Sequence, residues 1–323
     1  MSIKTAKHNK EVMMTTIELR TRSKETWSSR MVRLWPLYIM AAPGIAFIII
    51  FKCIPLIGTV IAFQDYSVFK GFFNSPWVGF KHFEHLLAYP DFHRVFTNTL
   101  ILGLLKVILL FPFPIILAIL INEVERKQTK RLIQTAFYIP HFFSWVIVAG
   151  LIFDLLSTHG LVNQIRGVFG AGPELFMQQD TKFRMIYIVS SLWKESGWGT
   201  IVYLAALSGL DPQVYESAMI DGANKLKQII FITVPLLIPT ILILFLLNIG
   251  SFMELGFDHI YNILTPMTYS VGDVIDTYVF RNGIQQAQYS YSTAVGLFQS
   301  VIGFILVFTF NKLSNKFSEG GLW

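Results

Sequence analysis

The sequence contains several apolar runs that are long enough to cross a lipid bilayer as helices, and these runs limit the folds open to the chain. A helix that crosses the hydrocarbon core needs about 20 consecutive, mainly apolar residues. We find six such runs: residues 37–62, 97–121, 134–156, 185–207, 231–252 and 293–312. Only 14% of the 323 residues are charged, whereas soluble domains average about 25%. The sequence therefore predicts an all-α, polytopic membrane protein with six transmembrane helices.

Lysine and arginine are unevenly divided between the two sets of loops. The N-terminal arm, the loop after the second run, the segment after the fourth run and the C-terminal tail hold 16 of the 26 basic residues, and the opposite loops hold 7. Loops rich in basic residues favour the cytoplasmic side. Both termini are therefore predicted to be cytoplasmic.

The apolar runs divide the chain into four predicted segments. A basic cytoplasmic arm (1–33) precedes the first transmembrane helix with its outer loop (34–95), a core of five further helices (96–313) and a cytoplasmic tail (314–323). The arm is longer than the basic part of a signal peptide, and the run after it has full span length, which indicates an uncleaved first helix. The outer segment 253–292 is rich in aromatic and β-branched residues, and we expect it to return into the bundle or to meet an outer partner.

The sequence lacks the residue patterns of several kinds of site. Its single cysteine, Cys53, cannot form a disulfide within the chain or a metal cluster. No phosphate-binding G-x-x-x-x-G-K-S/T loop and no H-E-x-x-H metal motif occur. We therefore predict no catalytic residue and no metal site, and we expect His141, beside Pro140, to be structural.

A short polar segment, residues 211–235, separates the fourth apolar run from the fifth. Asp211 is suited to cap a helix and Pro212 to begin it. Gly222 is suited to end that helix by taking a positive φ angle. A second helix is predicted to start near Asn224 and to continue into the fifth run. We call residues 211–235 the coupling segment.

Two readings of the first helix in the coupling segment remain open. Small residues, Ser217, Ala218 and Ala223, would let another protein surface approach closely. The alternative is an amphipathic helix on the bilayer surface, which usually carries basic residues on its polar face. Glu216 and Asp221 would instead face anionic headgroups, so the composition favours docking to a protein.

The coupling segment resembles the EAA loop of permeases from binding-protein-dependent ABC importers. The family pattern is E-A-A, three residues, G, nine residues, and I-x-L-P. This chain has ESA at 216–218, glycine at 222 and ITVP at 232–235, so every interval matches. The two departures, serine for alanine and valine for leucine, are close in size.

Further stretches extend the resemblance from about residue 34 to the C-terminus. The stretch LWKESGWGTIVYLAALSGLDPQVYESAMIDGA is similar to the fourth-span region of sugar permeases. The stretch from DVIDTYVFRNG to the terminal GGLW is similar to the subgroup that imports long oligosaccharides or polysaccharides. Most sugar permeases have Gly-Gly-Pro after the fifth span, where this chain has Leu264-Thr265-Pro266. The resemblance implies a type I, maltose-permease-like fold with a complex glycan, rather than a maltose-like sugar, as cargo.

The resemblance also implies partners. Such a permease lies in the bacterial cytoplasmic (inner) membrane beside a second permease, which we expect to be a different chain. An extracytoplasmic solute-binding protein delivers the glycan, and a dimer of ATP-binding subunits binds ATP and Mg, so this chain itself binds no cofactor. The EAA helix lies in a groove of the ATP-binding subunit, and the residues implied to couple there are Glu216, Ser217, Ala218, Asp221, Gly222 and Ala223.

Polar and aromatic residues in the outer halves of the fourth and fifth runs are candidates for the substrate pathway. Ionisable residues inside spans are costly and usually face a cavity or a partner, and aromatic faces suit sugar rings. The alternative is that they are interfacial anchors. Lys194 and Glu195 are adjacent on one helix, so we do not expect them to pair, and Tyr203 is expected to pack. The pathway candidates are Trp193, Lys194, Glu195, Trp198, Asn248 and Glu254.

Three lysines lie inside the apolar runs: Lys52, Lys106 and Lys194. If two of them face the pathway, they favour an acidic, uronate-containing glycan. The alternative is that their ammonium groups reach the membrane surface along their own side chains, and this suits Lys52 well.

Two other classes of function make different demands on the sequence. An ion-coupled secondary sugar transporter would show paired acids in mid-span and an inverted internal repeat, and we find neither. A membrane enzyme acting on glycans would need two carboxylates across a cleft, and Glu195 and Glu254 have no visible general-acid context. The sequence therefore predicts a permease subunit of an ATP-driven oligosaccharide or polysaccharide importer.

Overall fold

The computed structural model describes residues 27–317, with side chains described for residues 34–313. Most of the predicted arm (1–33) and tail (314–323) lies outside the described residues, and the predicted segment boundaries stay predictions. Within the described range, all regular structure is helical apart from one isolated antiparallel bridge. The all-α prediction is confirmed.

The described residues up to Thr59 form a compact unit of their own. This unit contains helices α1 (Trp27–Ile48) and α2 (Ile54–Ile57), joined by the π-helical turn Ile49–Cys53. Residues 35–57 are exposed in this chain although nearly all are apolar. Exposed apolar side chains all around a helix suit a lipid environment.

The residues from Val60 onward form the second unit. Its long helices are connected by short helices and loops. In chain order its helices are α3 (Gly71–Asn74), α4 (Lys81–Ala88), α5 (Pro90–Leu105), α6 (Pro112–Asn122), α7 (Lys127–Tyr138), α8 (Trp145–Leu156), α9 (Leu161–Val168), α10 (Asp180–Ser208), α11 (Pro212–Ile220), α12 (Lys225–Gln228), α13 (Val234–Gly250), α14 (Phe257–Ile263), α15 (Tyr269–Gly272), α16 (Ile275–Phe280) and α17 (Tyr289–Phe317).

Helical stretches that can cross a membrane overlap five of the six predicted runs. Within the described residues they are Leu34–Phe63, Pro90–Asn122, Trp145–Val168, Lys225–Gly250 and Tyr289–Leu313. The remaining run, 185–207, lies inside α10, which has 29 residues but is more polar. Because α10 packs against α6, α7 and α13 and buries many of its side chains, it does not need an apolar surface all around.

The third predicted run, 134–156, is broken rather than continuous. Helix α7 ends at Tyr138, a 3-10 turn covers Ile139–Phe142, and α8 starts at Trp145. A proline inside a helix removes a backbone donor and clashes with the preceding turn. Pro140 lies in this break, which explains why the apolar pattern continues while the helix does not.

Prolines also account for widened turns in three other helices. A five-residue π-helical turn ends two residues before a proline in the first, second and fifth predicted spans. The missing N–H and the proline ring displace the carbonyl four residues earlier, and the helix widens there. The turns are Ile49–Cys53 before Pro55, Lys106–Leu110 before Pro112, and Ile229–Thr233 before Pro235.

The outer segment 253–292 is part of the core of the second unit. Ile260, Ile263 and Ile275 are fully buried among side chains of α5 and α10. Polar groups of α5 fix the segment as well, since Asn98 Nδ2 donates to the carbonyl oxygen of Ser270 at 3.0 Å. Of the two expectations for this segment, return into the bundle is confirmed.

Helices α7 and α10 approach each other at a glycine. A Cβ atom placed on Gly197 of α10 would lie 2.0 Å from the carbonyl oxygen of Phe137 in α7. Real Cβ atoms do not come this close to a backbone atom, so this crossing requires glycine.

Candidate functional site

The coupling segment folds as its local pattern predicts. The Asp211 side chain accepts a hydrogen bond from the Gln213 N–H at 2.9 Å at the start of α11. Gly222 follows α11 with a φ angle of +77°, and Asn224 caps α12. A short helix, a left-handed glycine and a second helix therefore lead into the fifth span.

Helix α11 is largely exposed. None of its residues is buried, and Ile220 and Met219 are 87% and 55% exposed. Glu216 and Ser217 are exposed as well. Apolar side chains that project together from a polar segment mark a surface that another protein can cover.

Side-chain contacts tie the coupling segment to two spans. The Tyr215 hydroxyl lies 3.0 Å from the Thr233 hydroxyl in the π-helical turn of the fifth span. Lys225 Nζ lies 3.1 Å from Glu123 Oε2, just after the second span. Sequence reasoning gave no role to these groups, because their contacts join residues up to about a hundred positions apart. The first contact belongs to α11 and the second to α12, so side chains of both short helices are held to the spans.

Lys194 is buried and fully engaged. Its side chain donates to the carbonyl oxygen of His141 at 2.9 Å and to Glu195 Oε1 at 3.1 Å. Its ammonium also lies 4.9 Å from the centre of the Trp145 ring. The expectation that Lys194 and Glu195 do not pair is wrong. A buried ammonium needs a partner, and Glu195 is the nearest carboxylate it can reach along the helix.

His141 joins the same cluster. Its Nδ1 lies 2.8 Å from Glu195 Oε2, and its ring stacks on Trp198 at 4.5 Å between centroids. Sequence reasoning missed this contact, although Pro140 beside it marks a bend in the chain. The cluster brings Lys194, Glu195 and Trp198 together.

A cavity of about 300 Å³ opens beside this cluster, and we call it the α10 cavity. It lies between the second span, α10 and α13. Most of its wall is apolar. Its polar and tryptophan lining residues are Lys106, Ser191, Glu195, Ser196, Trp198, Tyr203 and Asn248.

The other pathway candidates lie elsewhere. Trp193 is 47% exposed and lines a separate depression with Phe137 and Pro140. Glu254 is exposed, and its carbonyl oxygen accepts a hydrogen bond from Lys106 Nζ at 2.9 Å. Tyr203 packs in the core, as expected, and also lines the α10 cavity. The structure thus groups Glu195, Trp198 and Asn248 around one cavity, with Lys194 directly behind them.

His259 fastens the outer segment to α10. Its ring nitrogens lie 2.9 Å from Ser190 Oγ and 3.3 Å from Ser191 Oγ. Its ring stacks on Trp145 at 3.6 Å between centroids. Burial, together with the positive charge of Lys194, lowers the pKa of His259 to about 3. The folded protein therefore holds this imidazole neutral.

The neutral state of His259 makes stability depend on pH. Between the unfolded pKa of about 6.5 and the folded pKa of about 3, the unfolded chain binds one more proton at this site. Stability should therefore fall as pH decreases below 6.5, by up to about 1.4 kcal/mol per pH unit. Thermal unfolding in detergent between pH 7.5 and 5 measures this slope.

His259→Phe should flatten that slope, since it removes the titrating group. His159→Phe is the matched control, because His159 is exposed and its replacement should leave the slope unchanged. An unchanged slope in His259→Phe would contradict the assignment.

Comparison with known proteins identifies the family of this chain. Residues 92–318 match the model of the family described as binding-protein-dependent transport system inner membrane component. This chain belongs to that family. The permease is thus a multi-pass inner-membrane subunit of an ABC importer and not an enzyme, and an ion-coupled secondary transporter is not favoured.

Two curated relatives match nearly the whole permease. The polygalacturonan/rhamnogalacturonan transport system permease protein YteP of Bacillus subtilis (strain 168) is 46% identical over 89% of this chain and 90% of its own. Protein LplB of the same strain is 43% identical over 92% of this chain and 94% of its own.

Solved structures match to a similar extent. A chain of a bacterial alginate ABC transporter, in complex with an alginate pentasaccharide-bound periplasmic protein, superposes with a TM-score of 0.86 and 40% identity. The match covers 92% of this permease and 100% of that chain. The predicted type I permease fold is confirmed.

Proposed function

We propose that this permease carries an acidic, uronate-containing oligosaccharide or polysaccharide from an external binding protein into the cytoplasm. The observation that carries the proposal is the close likeness to permeases for such glycans. One relative is named for polygalacturonan and rhamnogalacturonan, and a solved relative imports alginate, an acidic polysaccharide. The α10 cavity, with its tryptophan, amide and ammonium groups, supports a sugar as the cargo.

The proposed complex contains several other chains. A second permease of different sequence completes the pathway, and a solute-binding protein delivers the glycan outside, as in the solved alginate complex. Two ATP-binding subunits bind ATP and Mg and hydrolyse ATP, and the permease itself binds no cofactor. Both termini and the coupling segment face the cytoplasm, in keeping with the distribution of basic residues.

In this complex α11 docks on an ATP-binding subunit. The residues proposed to couple there are Glu216, Ser217, Ala218, Asp221, Gly222 and Ala223. The exposure of α11 supports the docking. The contact of Tyr215 with Thr233 and that of Lys225, in α12, with Glu123 supply a route by which closure of the ATP-binding subunits moves the spans.

ATP-driven uptake tests the proposed cargo. The complex is reconstituted in liposomes with its binding protein and offered trigalacturonate or its carboxyl-reduced, neutral counterpart. Faster uptake of trigalacturonate is expected. Uptake of the neutral sugar alone, or ATP hydrolysis by the permease purified without its partners, would contradict the proposal.

The Tyr215 hydroxyl should matter for coupling. Tyr215→Phe removes one hydrogen bond between α11 and the fifth span, a contact worth about 0.5–1.5 kcal/mol. Uptake per ATP hydrolysed should therefore fall about threefold, while binding of the ATP-binding subunit persists.

Tyr138→Phe is the control, because the Tyr138 hydroxyl makes no hydrogen bond to another residue in the described part of the chain. An equal loss in both variants would show that the Tyr215 contact has no special part in coupling.

A further inference from the structure

The structure distinguishes the three lysines that lie inside the predicted spans. Lys52 belongs to the first unit and is exposed. Lys194 is buried, and its ammonium is bonded to Glu195 and to the carbonyl oxygen of His141. Apart from the Tyr203 phenol, Lys106 and Glu195 contribute the ionisable groups that line the α10 cavity. Lys106 is therefore the cation best placed to meet a solute there.

The ammonium of Lys106 is only partly occupied. It is the first residue of the π-helical turn in the second span. Its Nζ donates to the carbonyl oxygen of Glu254 at 2.9 Å and, more weakly, to that of Ser251 at 3.4 Å. An ammonium has three N–H donors, so one remains. Among the described residues, none of the ion pairs involves Lys106.

The neighbouring groups match the other parts of a sugar ring. His141 covers one face of the Trp198 ring. The ring also lines the cavity, where it can meet the apolar side of a sugar ring, and Asn248 offers an amide to the sugar hydroxyl groups. The Ser196 hydroxyl is buried and makes no hydrogen bond within the described residues. Buried polar atoms usually have a partner, so this hydroxyl has capacity left for a ligand.

The one carboxylate in the lining is already neutralised. Glu195 is held by Lys194 on one oxygen and by His141 on the other. Among the lining residues, Lys106 therefore supplies the charge that a solute meets, offset in part by the carboxylates of Glu254 and Asp276 outside the lining. At about 300 Å³ the cavity is at the small end of ligand-binding pockets. It suits one sugar unit of a longer chain.

We propose that Lys106 determines the preference for acidic glycans, by binding the carboxylate of a uronate unit that lies against Trp198 in the α10 cavity. This inference rests on the proposed function. A simpler role for Lys106 is to hold the C-terminal end of α13. That helix ends at Gly250, and Lys106 bonds the carbonyl oxygens of Ser251 and Glu254 just after it. The two roles differ in one respect, because a purely structural lysine would affect neutral and acidic sugars equally.

Uptake by Lys106 variants separates the two roles. Reconstituted complexes carrying wild-type permease, Lys106→Met, Lys106→Arg or Lys52→Met are offered trigalacturonate and its carboxyl-reduced counterpart. Lys52→Met is a matched control, since Lys52 also lies in a π-helical turn of a span. Lys106→Met should lower the ratio of acidic to neutral uptake about tenfold or more, because hydrogen bonds to charged groups are among the strong ones. Lys106→Arg and Lys52→Met should keep the wild-type ratio.

Binding-protein-stimulated ATP hydrolysis shows whether each complex has assembled. Equal losses for both sugars in Lys106→Met, or an unchanged ratio, would overturn the role of Lys106. A wild-type complex that does not prefer trigalacturonate would instead overturn the proposed function, so the two failures can be told apart.

Discussion

Glu216→Lys should abolish most ATP-driven uptake while leaving the permease inserted in the membrane. Glu216 is exposed on α11 and is proposed to face a basic residue of the ATP-binding subunit. Loss of one partner from a buried, hydrogen-bonded charge pair costs about 2–5 kcal/mol, and charge reversal adds repulsion. Uptake should therefore fall at least about tenfold. Uptake and co-purification of the ATP-binding subunit are measured on the same preparations.

Glu125→Lys is the control for this reversal. Glu125 is also exposed and lies on the same predicted side of the membrane, but outside the coupling segment. Surface substitutions usually change stability by less than about 0.5 kcal/mol, so uptake should stay within about twofold. If Glu216→Lys keeps both its ATP-binding subunit and its uptake, α11 does not dock through this carboxylate.

Gly197→Ala should prevent the permease from packing correctly. The added methyl group would lie 2.0 Å from the carbonyl oxygen of Phe137, so α7 and α10 would have to separate. Overpacking a close contact costs about 1–3 kcal/mol, or more where the backbone must move. We expect a large loss of monodisperse protein in size-exclusion chromatography, and a lower unfolding temperature for what remains.

Gly296→Ala in α17 makes the same change where there is room. No atom lies within 4 Å of a Cβ placed there. Alanine is better than glycine in a helix by about 1 kcal/mol, so this variant should be as stable as wild type or more so. The two substitutions should thus have opposite effects on the stability of the permease. Equal stability of both variants would mean that α7 and α10 are not in contact at Gly197.

The sequence by itself determined those features whose causes are local. Span length and apolarity predicted the membrane helices. The cap at Asp211, the positive φ angle at Gly222 and the restart at Asn224 were all predicted, since each depends on a few neighbouring residues. The matching intervals of the coupling segment led to the family before any contact was known.

Which residues line the α10 cavity depends on the positions of the side chains around each helix and on how the helices pack. The sequence predicts the first but not the second. Glu195 and Trp198 are three positions apart on α10, so they share a face and line one cavity. Trp193 is five positions from Trp198 and lies on another face, where it lines a different depression. Asn248 lies on α13, so its place in the lining of the same cavity depends on how α13 packs.

The tertiary structure alone decided which lysine of the second unit's spans forms an ion pair and which bonds only backbone carbonyl groups. Lys194 and Lys106 are both single lysines in apolar runs, and only Glu195, which follows Lys194, distinguishes their neighbours. Packing of α7 and the turn after it against α10 places His141 beside Lys194, whereas the hydrogen bonds of Lys106 go only to backbone carbonyl groups. These contacts join residues as far as 148 positions apart along the chain. Local sequence patterns do not encode such pairings, because they arise only when the helices have packed together.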